Sequence, residues 1–185
     1  SLYVINISFG FLTAAQQKDR IKGMFGQYVA AAHIDRLLDD PAAHNFDGES
    51  RNMTVLFSDI RSFTNMSETL SATELKKLLN RYFTPMTEII FEQQGTIDKY
   101  VGDMIMAFWN APLDDAEHEK HAVMAALLMQ RRQAALRDEF RQDGLPPIYT
   151  GIGINTGPMN VGDMGSSYRR AYTVLGHAVN LGSRL

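Results

Sequence analysis

Asp59 closes an apolar run, Met53-Thr-Val-Leu-Phe-Ser-Asp59, and Asp103 follows a glycine in Lys99-Tyr-Val-Gly-Asp103. The run is consistent with a strand buried on both faces, which would leave Asp59 at its C-terminal end. Gly102-Asp103 suits a tight hairpin turn, so Asp103 is expected at a hairpin tip. A first strand beside that hairpin brings the two carboxylates to one end of a sheet. Two carboxylates, with water and phosphate oxygens completing the shell, are a donor set that Mg²⁺ or Mn²⁺ takes. Either aspartate alone is more often a turn or helix-start residue, and only their convergence points to chemistry.

The stretch Tyr172-Thr-Val-Leu-Gly176-His-Ala-Val-Asn180-Leu-Gly-Ser-Arg184 adds an amide and a guanidinium four residues apart. On a helix these share one face and can meet the same phosphate. Alone, such a pair is more often a solvated helix face.

These residues need a sheet and long helices to hold them. Ser71-Ala-Thr-Glu74 is a capping box, and Leu75, Leu78, Leu79, Tyr82, Phe83, Met86 and Ile90 keep helical spacing up to Gly95, with a kink expected at Pro85. Residues 96–101 and 104–109 read as two hairpin strands. Residues 115–142 read as a second long helix, stopped by Gly144, Pro146 and Pro147. A strand is expected at 148–155 and a further hairpin from 158–163 and 168–175. The order is βαββαβ, an α+β, ferredoxin-like core: an antiparallel sheet with helices on one face, preceded by an N-terminal linker helix.

The chain has 185 residues, 45% hydrophobic and 21% charged, which suits one globular domain with its own core. It has no cysteine, which excludes disulfide frameworks, thiolate metal sites and cysteine nucleophiles. Eighteen basic against twenty-one acidic residues, a net charge of -3 without a basic run, argue against nucleic-acid binding. Residues 1–15 are apolar but shorter than the roughly 20 residues of a spanning helix. Lys18, Arg20 and Lys22 follow at once, as on the cytoplasmic side of a membrane helix. The segment reads as the end of a membrane segment or, equally, as a helix packed on a partner chain. In 16–50, Ile21, Phe25, Tyr28 and Val29 mark a linker helix running to Asp40, with turn-rich residues after Pro41. The main domain is expected from Arg51 to Leu185.

Together the motifs resemble a known family. Phe57-Ser-Asp59-Ile60-Arg-Ser-Phe63-Thr64, Lys99-Tyr-Val-Gly-Asp103, and Tyr172-Thr-Val-Leu-Gly176 through Asn180 to Arg184-Leu185 are similar, in order and spacing, to class III nucleotide cyclases. The resemblance covers residues 51–185, and Phe25-Gly-Gln-Tyr-Val29 resembles the helix that joins such domains to an upstream membrane or sensor region. It implies that Asp59 and Asp103, with the Ile60 carbonyl, bind two Mg²⁺ or Mn²⁺ ions. Lys99 and Thr173 match the base-selecting positions; a lysine donor for adenine N1 and a hydroxyl for the exocyclic amine favour ATP over GTP. Threonine in place of the more usual aspartate is the variant of a bacterial and bicarbonate-responsive subclass. Asn180 would orient the ribose and Arg184 would stabilise charge on the α-phosphate. The implied reaction is in-line attack of the ATP 3′-oxygen on the α-phosphorus, giving 3′,5′-cyclic AMP and pyrophosphate, at two equivalent sites shared across a homodimer.

The resemblance also implies a cytoplasmic catalytic domain in a membrane-anchored bacterial protein. Family members continue past the position of Leu185 with more strands and a triphosphate-binding lysine, so residues 51–185 read as a C-terminally incomplete domain. A guanylyl cyclase and a catalytically silent dimerisation or nucleotide-sensing module are the alternatives. Other features read as structural. His118 and His121 fit a solvated helix start, and Gly151, Gly153 and Gly157 fit a hairpin and close packing.

Overall fold

A computed structural model describes residues 16, 18, 19, 21–23, 25–39, 48–167 and 170–184. Residues 1–15, expected as the end of a membrane segment, lie outside the described residues. Among the described residues no helix is long and apolar enough to cross a membrane.

The elements run α1 (Ala31–Asp39), β1 (Glu49–Ile60), α2 (Phe63–Glu68), α3 (Ala72–Glu92), β2 (Thr96–Val101), β3 (Met104–Trp109), α4 (His118–Gln142), β4 (Thr150–Gly165), β5 (Arg170–Leu175) and α5 (His177–Gly182). The antiparallel sheet has the order β2-β3-β1-β4-β5. Central position explains the apolar run of β1, since residues 53–58 are all buried. The predicted hairpin is present. Val101 pairs with Met104, and Gly102 turns the chain at φ +61°, a conformation glycine adopts without steric cost.

The capping box at α3 forms as its sequence predicts: Glu74 N donates to Ser71 Oγ at 3.3 Å, and Ser71 N donates to the Glu74 carboxylate at 2.9 Å. Leu78, Tyr82, Met86 and Ile90 then recur every four residues and are buried. The helix runs through Pro85 as a single element. With Ala122, Ala125, Met129, Leu136 and Phe140 of α4, these side chains pack on Leu56, Ile105, Ala107 and Trp109. Each full burial of a large apolar side chain is worth about 2 kcal/mol relative to exposure.

The two long helices lie on one face, as the βαββαβ pattern predicts, and the opposite face is covered as well. Met53, Val55, Phe57, Met106 and Phe108 pack there with Val174 of β5, Val179 of α5, and Ile21, Phe25, Val29 and Leu37. The linker helix expected to run to Asp40 breaks over residues 26–30 and restarts as α1. The break has a use in the fold, because the freed Tyr28 carbonyl accepts a hydrogen bond from Ile97 N–H of β2 at 2.8 Å.

Two further expectations are corrected. The separate strands at 148–155 and 158–163 are one strand, β4, because β1 supplies a twelve-residue partner from Ile60↔Thr150 to Glu49↔Val161. Gly157 and Pro158 lie inside it. A Cβ at Gly157 would come to 3.1 Å of the Ala178 side chain, so the glycine is where α5 docks, not a turn. Pro158 has no N–H to give to Asn52 opposite, and the Asn52 carbonyl is taken by Asn110 Nδ2 at 3.0 Å. His118 and His121 are not solvated: His118 Nδ1 bonds the buried Thr54 hydroxyl at 2.8 Å, and His121 Nδ1 lies 2.7 Å from the buried Asp115 carboxylate. His118 anchors the start of α4 to β1, and His121 ties the first turn of α4 to the loop before it.

Candidate active site

The β1–β3 register brings the two aspartates together. Ser58 pairs with Ile105, and one step further places Asp59 and Ile60 beside Met104 and Asp103. Ile60 N–H donates to Asp103 Oδ2 at 3.0 Å, which locks the hairpin tip to the end of β1. Burial, and then the neighbouring Asp59 charge, push the Asp103 carboxyl above the ordinary carboxylate range against the pull of backbone donors. Asp59 is exposed and Asp103 half-buried, so the pair opens to solvent.

Beneath the pair lies a neutral polar layer. The Tyr82 hydroxyl is 3.1 Å from Ser58 Oγ, and Gln133 Nε2 donates to Thr150 Oγ1 at 2.8 Å. Burial first, with the Asp103 and Asp59 charges adding, raises the Tyr82 phenol to about 12 against hydrogen bonds from Ser58 and Thr150. A neutral phenol here adds no charge under two crowded carboxylates. The donor set above it is two carboxylates with the Ile60 backbone, and no cluster of three or more His, Cys, Asp or Glu occurs among the described residues. Hard oxygens, few in number, fit Mg²⁺ or Mn²⁺ with water and phosphate as further ligands, and do not fit a soft metal.

Lys99 and Thr173, 74 residues apart in sequence, meet: Lys99 Nζ is 3.4 Å from Thr173 Oγ1. A third residue, which the sequence reading passed over, joins them. Thr173 Oγ1 donates to Asp98 Oδ2 at 2.6 Å, and Lys99 Nζ lies 3.2 Å from Asp98 Oδ1. Adjacent strand residues normally point to opposite faces. Here Ile97 packs in the helix-side core and Tyr100, three positions on, packs its ring at a tilt against Phe83 of α3, so the alternation slips between them. The register with β3 shifts at this place, between Ile97 and Lys99, which lets Asp98 and Lys99 both reach Thr173. The available signal was an aspartate inside a strand, where that residue is depleted.

Asn180 and Arg184 are both exposed, Asn180 on α5 and Arg184 just past its end. Among the described residues no ion pair engages the Arg184 guanidinium, and no hydrogen bond links Asn180 or Arg184 to Asp59 or Asp103. One chain therefore assembles the acidic pair and the Lys99–Thr173 pair but does not join Asn180 and Arg184 to the carboxylates. Tyr100, Val101, Leu175 and Leu181, all large, apolar and exposed, flank these groups on β2, β5 and α5.

Residues 47–185 match the family model described as the adenylate and guanylate cyclase catalytic domain. Adenylate cyclase 1 of Rhizobium meliloti is 39% identical over 135 residues, covering 73% of this chain and 20% of that protein. The adenylate cyclase of Anabaena cylindrica is 41% identical over 140 residues, 74% of this chain and 27% of that protein. The chain thus spans less than a third of the length of these curated relatives. The crystal structure of the adenylyl cyclase CyaB from P. aeruginosa superposes with a TM-score of 0.73 at 40% identity, over 75% of this chain and 72% of that one. The guanylyl cyclase Cya2 superposes with 0.72 at 40% identity, over 75% and 70%. Overall likeness does not choose between the two bases, and the local residues have to.

Proposed function

Because the chain belongs to the adenylate and guanylate cyclase catalytic-domain family, we propose that it acts as an adenylyl cyclase, converting ATP to 3′,5′-cyclic AMP and pyrophosphate at sites shared between two copies of itself. The observation that carries the choice of base is the juxtaposed Lys99 ammonium and Thr173 hydroxyl. Adenine offers an acceptor at N1 and a donor at N6, which a lysine and an accepting hydroxyl complement. Guanine offers the reverse, a donor at N1 and an acceptor at O6.

Asp59, Asp103 and the Ile60 carbonyl would hold two Mg²⁺ or Mn²⁺ ions. Bound there, the ions supply Lewis acidity toward the ribose 3′-hydroxyl and charge neutralisation for the triphosphate. The chain's own residues do the positioning. Lys99 and Thr173 fix the purine, Asn180 holds the ribose so that the 3′-oxygen lines up with the α-phosphorus, and Arg184 spreads its guanidinium over α-phosphate oxygens as charge builds on them. Among the described residues no side chain is placed as a general base, and the 3′-hydroxyl proton passes to water or to a substrate phosphate.

Two features support sharing between protomers. The carboxylate pair and the Asn180–Arg184 pair are not joined within one chain, and exposed apolar side chains border both. On the same reading the domain works on the cytoplasmic face of a membrane-anchored bacterial protein, a reading supported by the apolar stretch 2–15 with Lys18, Arg20 and Lys22 after it. Nucleotide competition tests the base: with Mn²⁺, ATP turns over and excess GTP competes weakly. Faster turnover of GTP would reject the adenylyl reading in favour of guanylyl cyclase, and no turnover of either would favour a silent module.

A further inference from the structure

Resting on the adenylyl cyclase reading, we propose that Asp98 is the residue that makes the purine pocket read adenine, by fixing the direction of the hydrogen bond that Thr173 can form. A threonine hydroxyl is ambidextrous. It carries one hydrogen and two lone pairs, so a free one could accept from adenine N6 or, by turning, donate to guanine O6. Thr173 by itself therefore selects neither base.

Asp98 removes the ambiguity. Its carboxylate accepts the Thr173 hydrogen at 2.6 Å, and a hydroxyl with its only hydrogen committed can only accept. The exocyclic amine of adenine satisfies that acceptor. The carbonyl of guanine sets lone pair against lone pair and leaves a buried acceptor unpaired, the kind of mismatch that discriminates strongly. The other carboxylate oxygen lies 3.2 Å from Lys99 Nζ and holds the ammonium beside the hydroxyl, so one carboxylate orients both members of the pair. The Asp98 side chain is 1% exposed. It does not touch the nucleotide and acts through its two neighbours, as a positioning residue. The register shift in β2 is what allows this, since a regular strand would send Asp98 to the face opposite Lys99.

The test is the ratio of kcat/KM values for ATP, GTP and purine riboside 5′-triphosphate, which bears only hydrogen at the 6-position, in full-length protein with Mn²⁺. Asp98→Asn keeps the size of the side chain but offers Thr173 a donor or an acceptor. The expected result is a fall of about tenfold in the ATP-over-GTP preference, carried by better use of GTP, with the ATP-over-purine preference held within about threefold because the freed hydroxyl still accepts from N6. Ratios on one preparation cancel any loss of folded fraction. Asp98→Ser, equally ambidextrous, gives the same readout if the asparagine variant does not fold. An Asp98 variant that slows all three nucleotides equally, or keeps the ATP-over-GTP ratio within about twofold, overturns the proposal while leaving the adenylyl reading intact. A wild-type enzyme that prefers GTP overturns both.

Discussion

The backbone N–H of Ile60 donates to Asp103 Oδ2 at 3.0 Å, so the last residue of the central strand and the tip of the β2–β3 hairpin are held as one unit. That bond turns two separate sequence features into one acidic site. It also makes the site's shape depend on β1 and β3 together, with a carboxyl kept partly out of water.

The first prediction concerns these carboxylates. Asp59→Ala and Asp103→Ala remove metal-dependent turnover and leave the circular dichroism spectrum unchanged, because both side chains open to solvent at the sheet end. Loss of the folded spectrum would show that the residues are structural.

Asp103 also makes a prediction about pH. Its carboxyl is raised in the folded chain, so the folded state holds the proton more tightly than the unfolded one. That contribution favours folding at low pH and is lost as pH rises through the folded value. In the absence of divalent cations, Asp103→Asn therefore melts no lower than wild type at neutral pH, and any advantage shrinks on acidification. A melting temperature several degrees below wild type at neutral pH would contradict this.

Sharing of sites between protomers is tested by complementation. Asp59→Ala and Asn180→Ala are each inactive alone. Mixed, random pairing makes half of the dimers hybrid, each with one intact site of two, so about a quarter of wild-type activity returns. Failure of the mixture to exceed either variant would reject a composite site.

Activity per chain should also rise with protein concentration and level off as dimers fill. Cyclic AMP formation with Mn²⁺ across a dilution series measures it; constant specific activity down to the lowest assayable concentration would mean a site complete in one chain or a dimer too tight to dilute, and sedimentation at the same concentrations distinguishes the two.

A last prediction concerns the N-terminal segment. Phe25 is fully buried, and its ring meets that of Tyr172, the neighbour of Thr173, edge-on at 4.8 Å. Phe25→Ala is expected to cost about 3–5 kcal/mol in urea unfolding. A cost below about 1 kcal/mol would mean that the segment is only loosely seated on the sheet.

The sequence by itself determined the local elements and the types of group available. Apolar spacing of four marked α3, the run from Met53 marked a strand buried on both faces, Gly102-Asp103 marked the hairpin, and the motifs named the family. These are signals between near neighbours in the chain, where helix period, strand alternation and turn chemistry act directly. The tertiary structure alone decided what met across the sheet. It merged two expected strands into β4 because β1 was long enough to pair with both. It broke the linker helix, with the Tyr28 carbonyl capturing Ile97, and it buried His118 and His121 against Thr54 and Asp115. It also brought Asp98 to Thr173 through a one-residue slip in register, which no local pattern announces. Register is set by the sum of pairings along two whole strands, so a side chain's partners across a sheet are fixed only once the sheet exists.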